Sequence, residues 1–355
     1  MEWNPMDHTE AHAMLAPLTL EQGLHLLDSL TWFPESEENR WPRVADYVAR
    51  NVTTAPRPDP SDCEQVARRL ITAASAPAGS VPAGQLHGRW LEVPDAKALY
   101  QMKYDLMALL YPDDWFTFMN MGYQPAQESA GAPVVPPSAP IQSLVWRYAA
   151  QLYDLVAAQT SLRDRDVLEV GCGRGGGAAF VTSNHQPRSF TGVDYSPNNV
   201  EFCSRVHGSD RLSFRRGDAE RLPFADASFD AVLNIESAHC YPNVDRFFAE
   251  VHRVLRPGGH FLFADEWWTI RKHELHEKVT AAGLRVLDEE DITEGVITAL
   301  DELPSYVEKL LVEMPEGAQK RAYTRFFNER VCRESAHSYT SGRFVFLRQL
   351  AVRDN

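Results

Sequence analysis

The stretch Val167-Leu-Glu-Val-Gly-Cys-Gly-Arg-Gly-Gly-Gly177 carries the densest chemical signal in the chain. Glycines let a ligand approach the backbone closely, and a helix beginning there offers N–H groups with no intrahelical partner. Two patterns fit the same residues. Gly171, Gly173 and Gly176 satisfy GxGxxG, while Glu169, Gly171, Gly173 and Gly175 satisfy ExGxGxG. Both need a strand running into a loop and then a helix, and both place an acid after the second strand. Asp194, in Gly192-Val-Asp-Tyr-Ser-Pro197, stands at that position, where it can take both hydroxyls of a ribose. Asp218 follows the third strand in Gly217-Asp-Ala-Glu-Arg-Leu-Pro-Phe224, beside an adenine edge.

Such residues need a sheet to hold them. From about residue 141 helices alternate with short apolar strands, which predicts an α/β sheet. The pattern places strands at 166–170, 189–193, 211–216, 229–235, 259–265, 284–289 and 342–352. Helices are expected at 141–159, 196–207, 243–255 and 270–282, after the glycine loop within 171–185, and through a long region at 293–333.

Residues 1–95 read differently. A leucine stripe predicts a helix over about 17–31, Val44, Tyr47 and Val48 a second after Pro42, and Cys63, Val66, Ala67, Leu70 and Ile71 a third capped by Ser61 or Asp62. Proline-rich connectors separate them. Residues 96–140 form an aromatic bridge followed by a loop, because five prolines in the seventeen residues 124–140 exclude regular structure. The expected organisation is thus a helical N-terminal extension (1–95) serving as lid and dimerisation element, the bridge (96–140) and a catalytic domain (141–355).

The ordered set of motifs is Glu169 to Gly175, Asp194, Asp218, Ser228-Phe-Asp-Ala-Val-Leu-Asn-Ile-Glu236 and Val254-Leu-Arg-Pro-Gly-Gly-His-Phe-Leu-Phe263. It resembles the class I S-adenosylmethionine-dependent methyltransferases, in the ubiquinone/menaquinone and sterol methyltransferase branch, over about 141–290. Phe118-Met-Asn-Met-Gly-Tyr123, Gly173-Arg-Gly-Gly-Gly-Ala178 and Asn234-Ile-Glu-Ser-Ala-His-Cys-Tyr-Pro242 look like the phthiotriol/phenolphthiotriol dimycocerosate type of O-methyltransferase. The resemblance implies a doubly wound, seven-stranded Rossmann-like sheet with S-adenosylmethionine as cofactor. It also implies that Gly171, Gly173 and Gly175 face the cofactor and that Glu169 orients the loop or the ammonium. Asp194 with Tyr195 would hold the ribose, Asp218 and Ala219 the adenine, and Asn234 the methionine end. Tyr123 would cover the sulfonium, a cation that an aromatic face attracts, or else pack at a helix end.

The acceptor needs a base. A phenol has a pKa near ~10, so ionising it at neutral pH costs about 4 kcal/mol. A positioned base contributes roughly 10²–10⁴-fold. His239 follows the fourth strand, at the carboxyl edge where such sheets bind ligands. Asp265 and Glu266 end the fifth strand, where one could orient a histidine or accept the proton, and His337 could close the site from the last segment. Trp115, Tyr241, Trp267 and Trp268 suit an apolar or aromatic substrate, or ordinary packing. His273 and His276 lack an evident third ligand, so no metal site is expected. The reaction expected is O-methylation of a hydroxyl on a polyketide or phenolic small molecule. C- or N-methylation, a non-catalytic cofactor-binding scaffold and a nicotinamide-dependent dehydrogenase remain as alternatives.

Composition narrows the partners. The formal net charge of −14 disfavours nucleic acid. The five cysteines form no CxxC pair and fit a reducing compartment. No apolar run reaches the length of a membrane span, and the acidic start Met1-Glu-Trp-Asn-Pro-Met-Asp-His8 does not read as a signal peptide. A cytoplasmic enzyme is the expectation, with a homodimer built through the N-terminal extension.

Overall fold

The computed structural model of the chain describes residues 6–33, 39–52, 55–74, 85–86, 89–90, 96–125, 135, 138–327 and 336–354. Two compact units emerge. One comprises Met1–Pro112 with Ser196–Asn199 and Cys240–Asn243; the other comprises Asp113–Tyr195, Val200–His239 and Val244–Asn355. The boundary after Pro112 falls inside the aromatic bridge.

The first unit is helical: α1 (His8–Leu15), α2 (Leu20–Trp32), α3 (Arg40–Asn51), α4 (Pro60–Ala74) and α5 (Ala96–Leu110). Local sequence sets where these helices start. The Asp7 carboxylate accepts the N–H groups of Thr9 and Glu10, and the Glu10 carboxylate accepts the N–H of Asp7. Thr19 and Gln22 repeat this reciprocal cap on α2. Pro42 lies in the first turn of α3, where no intrahelical N–H is required. The cap of α4 is Asp59, which accepts the Ser61 N–H at 2.8 Å, and not Ser61 or Asp62. Pro60 takes the first helical position and draws the start back. α5 is a helix where the sequence pattern shows only an aromatic bridge. Leu99, Met102 and Leu106 form its buried stripe and join Leu26, Leu30, Val48, Val66 and Leu70 in one apolar core. Asp28 and Asp105 are buried in this unit and have partners. Lys103 meets Asp28 at 2.8 Å, and Asp105 accepts from Gln101 and from the Ser196 hydroxyl.

The second unit is built on seven strands: β1 (Asp166–Val170), β2 (Ser189–Asp194), β3 (Leu212–Arg216), β4 (Phe229–Ile235), β5 (Leu255–Trp268), β6 (Leu284–Asp291) and β7 (Phe344–Arg353). Their order across the sheet is β3-β2-β1-β4-β5-β7-β6. β1 to β5 run parallel, and β7 inserts antiparallel between β5 and β6. This is the doubly wound Rossmann-like sheet expected from the sequence. The strand order reverses between β1 and β4, so the switch-point crevice opens at their carboxyl ends.

Helices α6 (Ile141–Leu144), α7 (Arg147–Ala157), α8 (Gly176–His185), α9 (Pro197–His207), α10 (Val244–Val254), α11 (Lys272–Ala281), α12 (Thr293–Glu313), α13 (Ala318–Arg325) and α14 (Ala336–Thr340) complete the chain. The helix expected at 141–159 is two helices, α6 and α7. The long helical region expected at 293–333 divides at Met314-Pro-Glu-Gly317, and its residues 328–333 lie outside the described residues. β5 runs longer than expected. Its Arg256-Pro-Gly-Gly259 turn is taken into the ladder as a register shift opposite Phe229–Ala231.

Candidate active site

β1 delivers the glycine loop to the switch point. The N–H groups of Gly171 and Cys172 both reach the Val193 carbonyl, at 2.8 and 3.0 Å, tying the loop to β2. Gly171, Gly173 and Gly175 have φ of 76°, 52° and 75°, a region that costs other residues strain. At Gly175 space adds to the constraint, since a Cβ there would lie 2.9 Å from Cys203 Sγ. Asp194, at the end of β2, accepts the Gly173 N–H at 2.8 Å, and the Gly217 N–H reaches the Asp194 carbonyl at 3.0 Å. These bonds set the ends of β1, β2 and β3 in one frame. Asp218 shapes the turn after β3 by accepting the Glu220 N–H at 2.9 Å, with Ala219 buried beside it. Tyr195 receives Arg216 from β3, whose guanidinium lies 5.7 Å from the ring centroid.

Glu169 is wholly buried. One carboxylate oxygen accepts the Tyr153 hydroxyl at 2.6 Å, and Oε2 has no hydrogen-bond partner. Burial, opposed by the Tyr153 bond and aided by Asp194, pushes its pKa up to about 8. An orphaned acceptor at the base of a glycine loop fits a ligand that brings a cationic donor, as the α-ammonium of S-adenosylmethionine does. Asn234, at the end of β4, is also fully buried, and its Nδ2 donates to the Val170 carbonyl at 2.8 Å, bracing β4 against β1 at the crevice.

Two of the proton-transfer candidates, His239 and Asp265, meet where the turn after β4 passes the carboxyl end of β5. His239 lies on a single 3₁₀ turn, Ala238–Cys240, and its Nδ1 is 2.8 Å from Oδ1 of the fully buried Asp265. The same carboxylate accepts the N–H groups of Ser237, His239 and Glu266. Three backbone donors therefore fix the acid that orients the ring. His337 is exposed on α14. The residue of α14 that faces inward is Tyr339, which donates to Glu266 at 3.2 Å.

Tyr123 packs so closely on Gly295 of α12 that a Cβ there would lie 2.1 Å from its Cε2. Burial, then the charge of Glu290, raises the Tyr123 pKa. The side chain that reaches the glycine loop from this segment is Met119, whose Sδ is 3.3 Å from the Cβ position of Gly173. Hydrogen bonds tie the segment to the start of α8 and to the end of β4. The Gly176 N–H meets the Thr117 carbonyl at 3.1 Å, and the Met121 N–H meets Glu236 at 2.8 Å. Arg174, buried with its guanidinium 3.5 Å from the Phe202 ring centroid, donates Nε–H to the Phe116 carbonyl at 2.5 Å.

Sequence reasoning missed Tyr153, Glu236 and Tyr339. Tyr153 and Tyr339 sit on helices with no motif around them. Glu236 left a signal, since it directly follows β4 at the end of the motif that marks that strand, and it takes a φ of 52°. Burial pushes its carboxyl well above the usual range, and the nearby carboxylates Asp265 and Glu266 raise it further. Among the described residues, no group of three or more His, Cys, Asp or Glu side chains is placed to hold a metal ion. Among them, too, no helix is long and apolar enough to cross a membrane.

Residues 168–263 match the family described as "Methyltransferase domain". The chain is 37% identical over 243 residues to a fatty-acid O-methyltransferase of Mycolicibacterium smegmatis, covering 66% of this chain and 86% of that relative. It is 32% identical over 265 residues to phthiotriol/phenolphthiotriol dimycocerosates methyltransferase 1 of Mycobacterium ulcerans, covering 75% of this chain and 94% of the relative. Among solved structures, the (4+2)-cyclase SpnF superposes with a TM-score of 0.53 over 78% of this chain and 99% of its own, at 22% identity. That likeness speaks for the fold alone.

Proposed function

The chain belongs to the S-adenosylmethionine-dependent methyltransferases, of the type that includes the fatty-acid and phthiotriol dimycocerosate enzymes, and from that premise we propose that it methylates a hydroxyl oxygen on an apolar polyketide- or phenol-derived small molecule. S-adenosylmethionine supplies an electrophilic methyl group. The observation that carries the choice of a hydroxyl is the His239–Asp265 pair. A hydroxyl must lose a proton to become a good nucleophile, whereas a carboxylate acceptor, with a pKa near ~4, needs no base at neutral pH.

In this reading Asp265 holds Nδ1 protonated, so Nε2 of His239 takes the proton from the acceptor hydroxyl. The buried Asp265 carboxylate stabilises the imidazolium that results. Glu169 Oε2 receives the cofactor ammonium, Asp194 the ribose hydroxyls, and Asp218 with the Ala219 backbone the adenine edge. Gly171, Gly173 and Gly175 leave room for the cofactor, and Met119 covers the loop. We also assign the protein to the cytoplasm and to a homodimer, with residues 1–95 serving substrate selection and dimerisation. Light scattering at several concentrations tests the dimer.

The direct test supplies a labelled methyl donor with matched alcohols, phenols and carboxylic acids of increasing chain length. Methyl ether formation from hydroxyl acceptors, lost in His239→Ala, supports the reading. Methyl ester formation alone, unaffected by that substitution, would sink it.

A further inference from the structure

Tyr153 and Glu169 form a pair that no motif predicts. Tyr153 comes from the middle of α7, and its ring occupies the space a side chain at position 177 would fill. A Cβ on Gly177 would lie 1.9 Å from Tyr153 Cζ, so the bare backbone at the start of α8 is what admits the ring. Phe118 closes the other side, with its centroid 5.9 Å away in an edge-on arrangement. The ring so held aims its hydroxyl at Oε1 of Glu169, at 2.6 Å. Oε2 is left buried and without a hydrogen-bond partner.

A carboxylate in that position is expensive. The charged form has one hydrogen bond and no contact with water, and a second buried oxygen lacks a donor altogether. The titratable groups facing the pair do not relieve it. Asp194 faces it from the end of β2, Cys172 from the loop and Glu236 from the end of β4, and all three are acids. α8 presents the backbone of Gly177 to the ring.

We infer that Glu169 waits in its buried site in the protonated state until the ammonium of the cofactor arrives, so that cofactor binding releases the Glu169 proton, and that Tyr153 is the positioning residue that fixes the carboxyl and eases this ionisation. The inference rests on the cofactor assignment above and adds to it a proton stoichiometry and a residue. The Glu169 carboxyl, pushed up to about 8 by burial, agrees with this state at neutral pH. Arrival of a cation beside Oε2 supplies the missing donor and favours the ionised form. Tyr153 acts through Glu169. Its O–H stabilises the carboxylate, so removing it raises the pH at which Glu169 can ionise and weakens binding at neutral pH.

Calorimetric titration with S-adenosylhomocysteine, which carries the same α-amino group and no transferable methyl, tests this between pH 6 and 7. That range lies below the ~7.7–8.0 at which an α-amino group itself titrates. With the full-length wild-type chain in buffers of different ionisation enthalpy, about one proton should leave per ligand bound, and the dissociation constant should tighten about tenfold across that range. Glu169→Gln should bind with a flat pH profile and no such release. Tyr153→Phe, which keeps the ring that fills the space at Gly177, should keep the wild-type slope with about tenfold weaker binding. Equal proton release by wild type and Glu169→Gln, or a flat wild-type profile, would overturn the inference. A Tyr153→Phe profile superposing on wild type would overturn the part given to Tyr153. A wild-type chain that binds no ligand at any pH would overturn the cofactor assignment itself, and the inference with it.

Discussion

The imidazole of His239 stands with Nδ1 2.8 Å from a carboxylate oxygen of Asp265 that no solvent reaches. The pairing joins the turn that follows β4 to a residue near the carboxyl end of the adjacent parallel strand β5. The backbone N–H groups of Ser237, Glu266 and His239 itself also donate to this carboxylate, so the acid holds both the ring and the main chain of the histidine. A histidine held in this way presents one tautomer, with Nε2 as its basic nitrogen.

Substitution at either partner should therefore reduce the chemical step and spare the cofactor. We expect His239→Ala to lower turnover on an unactivated hydroxyl at least ~100-fold, with cofactor affinity within a few-fold of wild type. Asp265→Asn should fall in the same range, because an amide cannot hold Nδ1 protonated in the same way. The double substitution should cost little more than either single one, since the two act as a unit. Initial rates at saturating cofactor measure this. Activity of His239→Ala should return in part as pH approaches the pKa of a phenolic acceptor, and near-normal turnover at pH 7 would demote the histidine to packing.

Asp194 carries two loads, and its variants separate them. Its carboxylate accepts the Gly173 N–H at 2.8 Å, which shapes the loop, and it is assigned the ribose hydroxyls. Asp194→Asn keeps an acceptor for Gly173 and loses the charge, whereas Asp194→Ala loses both. Charge-assisted hydrogen bonds contribute roughly 1.5–3 kcal/mol each. Cofactor affinity should fall at least ~10-fold in Asp194→Ala and less in Asp194→Asn, with the far-ultraviolet circular dichroism of both unchanged. A dissociation constant for Asp194→Ala equal to that of wild type would remove the ribose assignment.

Gly177 is a packing requirement. Alanine is normally the better helix residue by about 1 kcal/mol, but here its methyl would meet the Tyr153 ring at 1.9 Å. Overpacking of this kind costs typically ~1–3 kcal/mol, so the clash should win. Gly177→Ala is expected to lower the urea midpoint, and in a double-mutant cycle with Tyr153→Ala the two losses should be less than additive, because the clash exists only while the ring is present. Unaltered stability in Gly177→Ala would mean that the ring swings aside cheaply.

Much of the sheet was legible because strand periodicity and glycine spacing are local signals. Asp166–Val170 and Phe229–Ile235 fall at the expected residues, and the end of each strand is marked by a residue type with an obvious use. Helix ends in the first unit were less legible. There Pro60 shifted a cap from Ser61 to Asp59, and α5 was hidden by its aromatic content. The site divides in the same way. The Asp265–His239 bond joins residues 26 apart, and it could be anticipated only because one follows β4 and the other lies near the carboxyl end of β5, at the same edge of the sheet. Tyr153 could not be found this way. Its helix has an ordinary amphipathic pattern, and only the three-dimensional approach to Gly177 and Glu169 gives it a role.

The burial of Glu169 also has a consequence for stability that is independent of turnover. Its folded pKa, about 8, lies above the value near 4.5 of an exposed glutamate. Between those pH values the native cofactor-free protein keeps the proton and the unfolded chain does not. Unfolding therefore releases protons, and stability falls as pH rises through the window, levelling off above about pH 8. A tenfold change in proton affinity between the two states corresponds to ~1.4 kcal/mol, so even part of this rise in pKa should give an effect of ~2 kcal/mol. Glu169→Gln keeps an acceptor for the Tyr153 hydroxyl and cannot ionise, so it should lack this component of the slope. Urea unfolding of both proteins without cofactor, at pH 5.5 and 8.5, measures the difference. The variant is expected to gain on wild type by ~2 kcal/mol at the higher pH while binding cofactor more weakly, which would mark Glu169 as a residue kept for its ligand at the expense of the empty fold. Parallel pH profiles for the two proteins would show that Glu169 is already ionised in the native state.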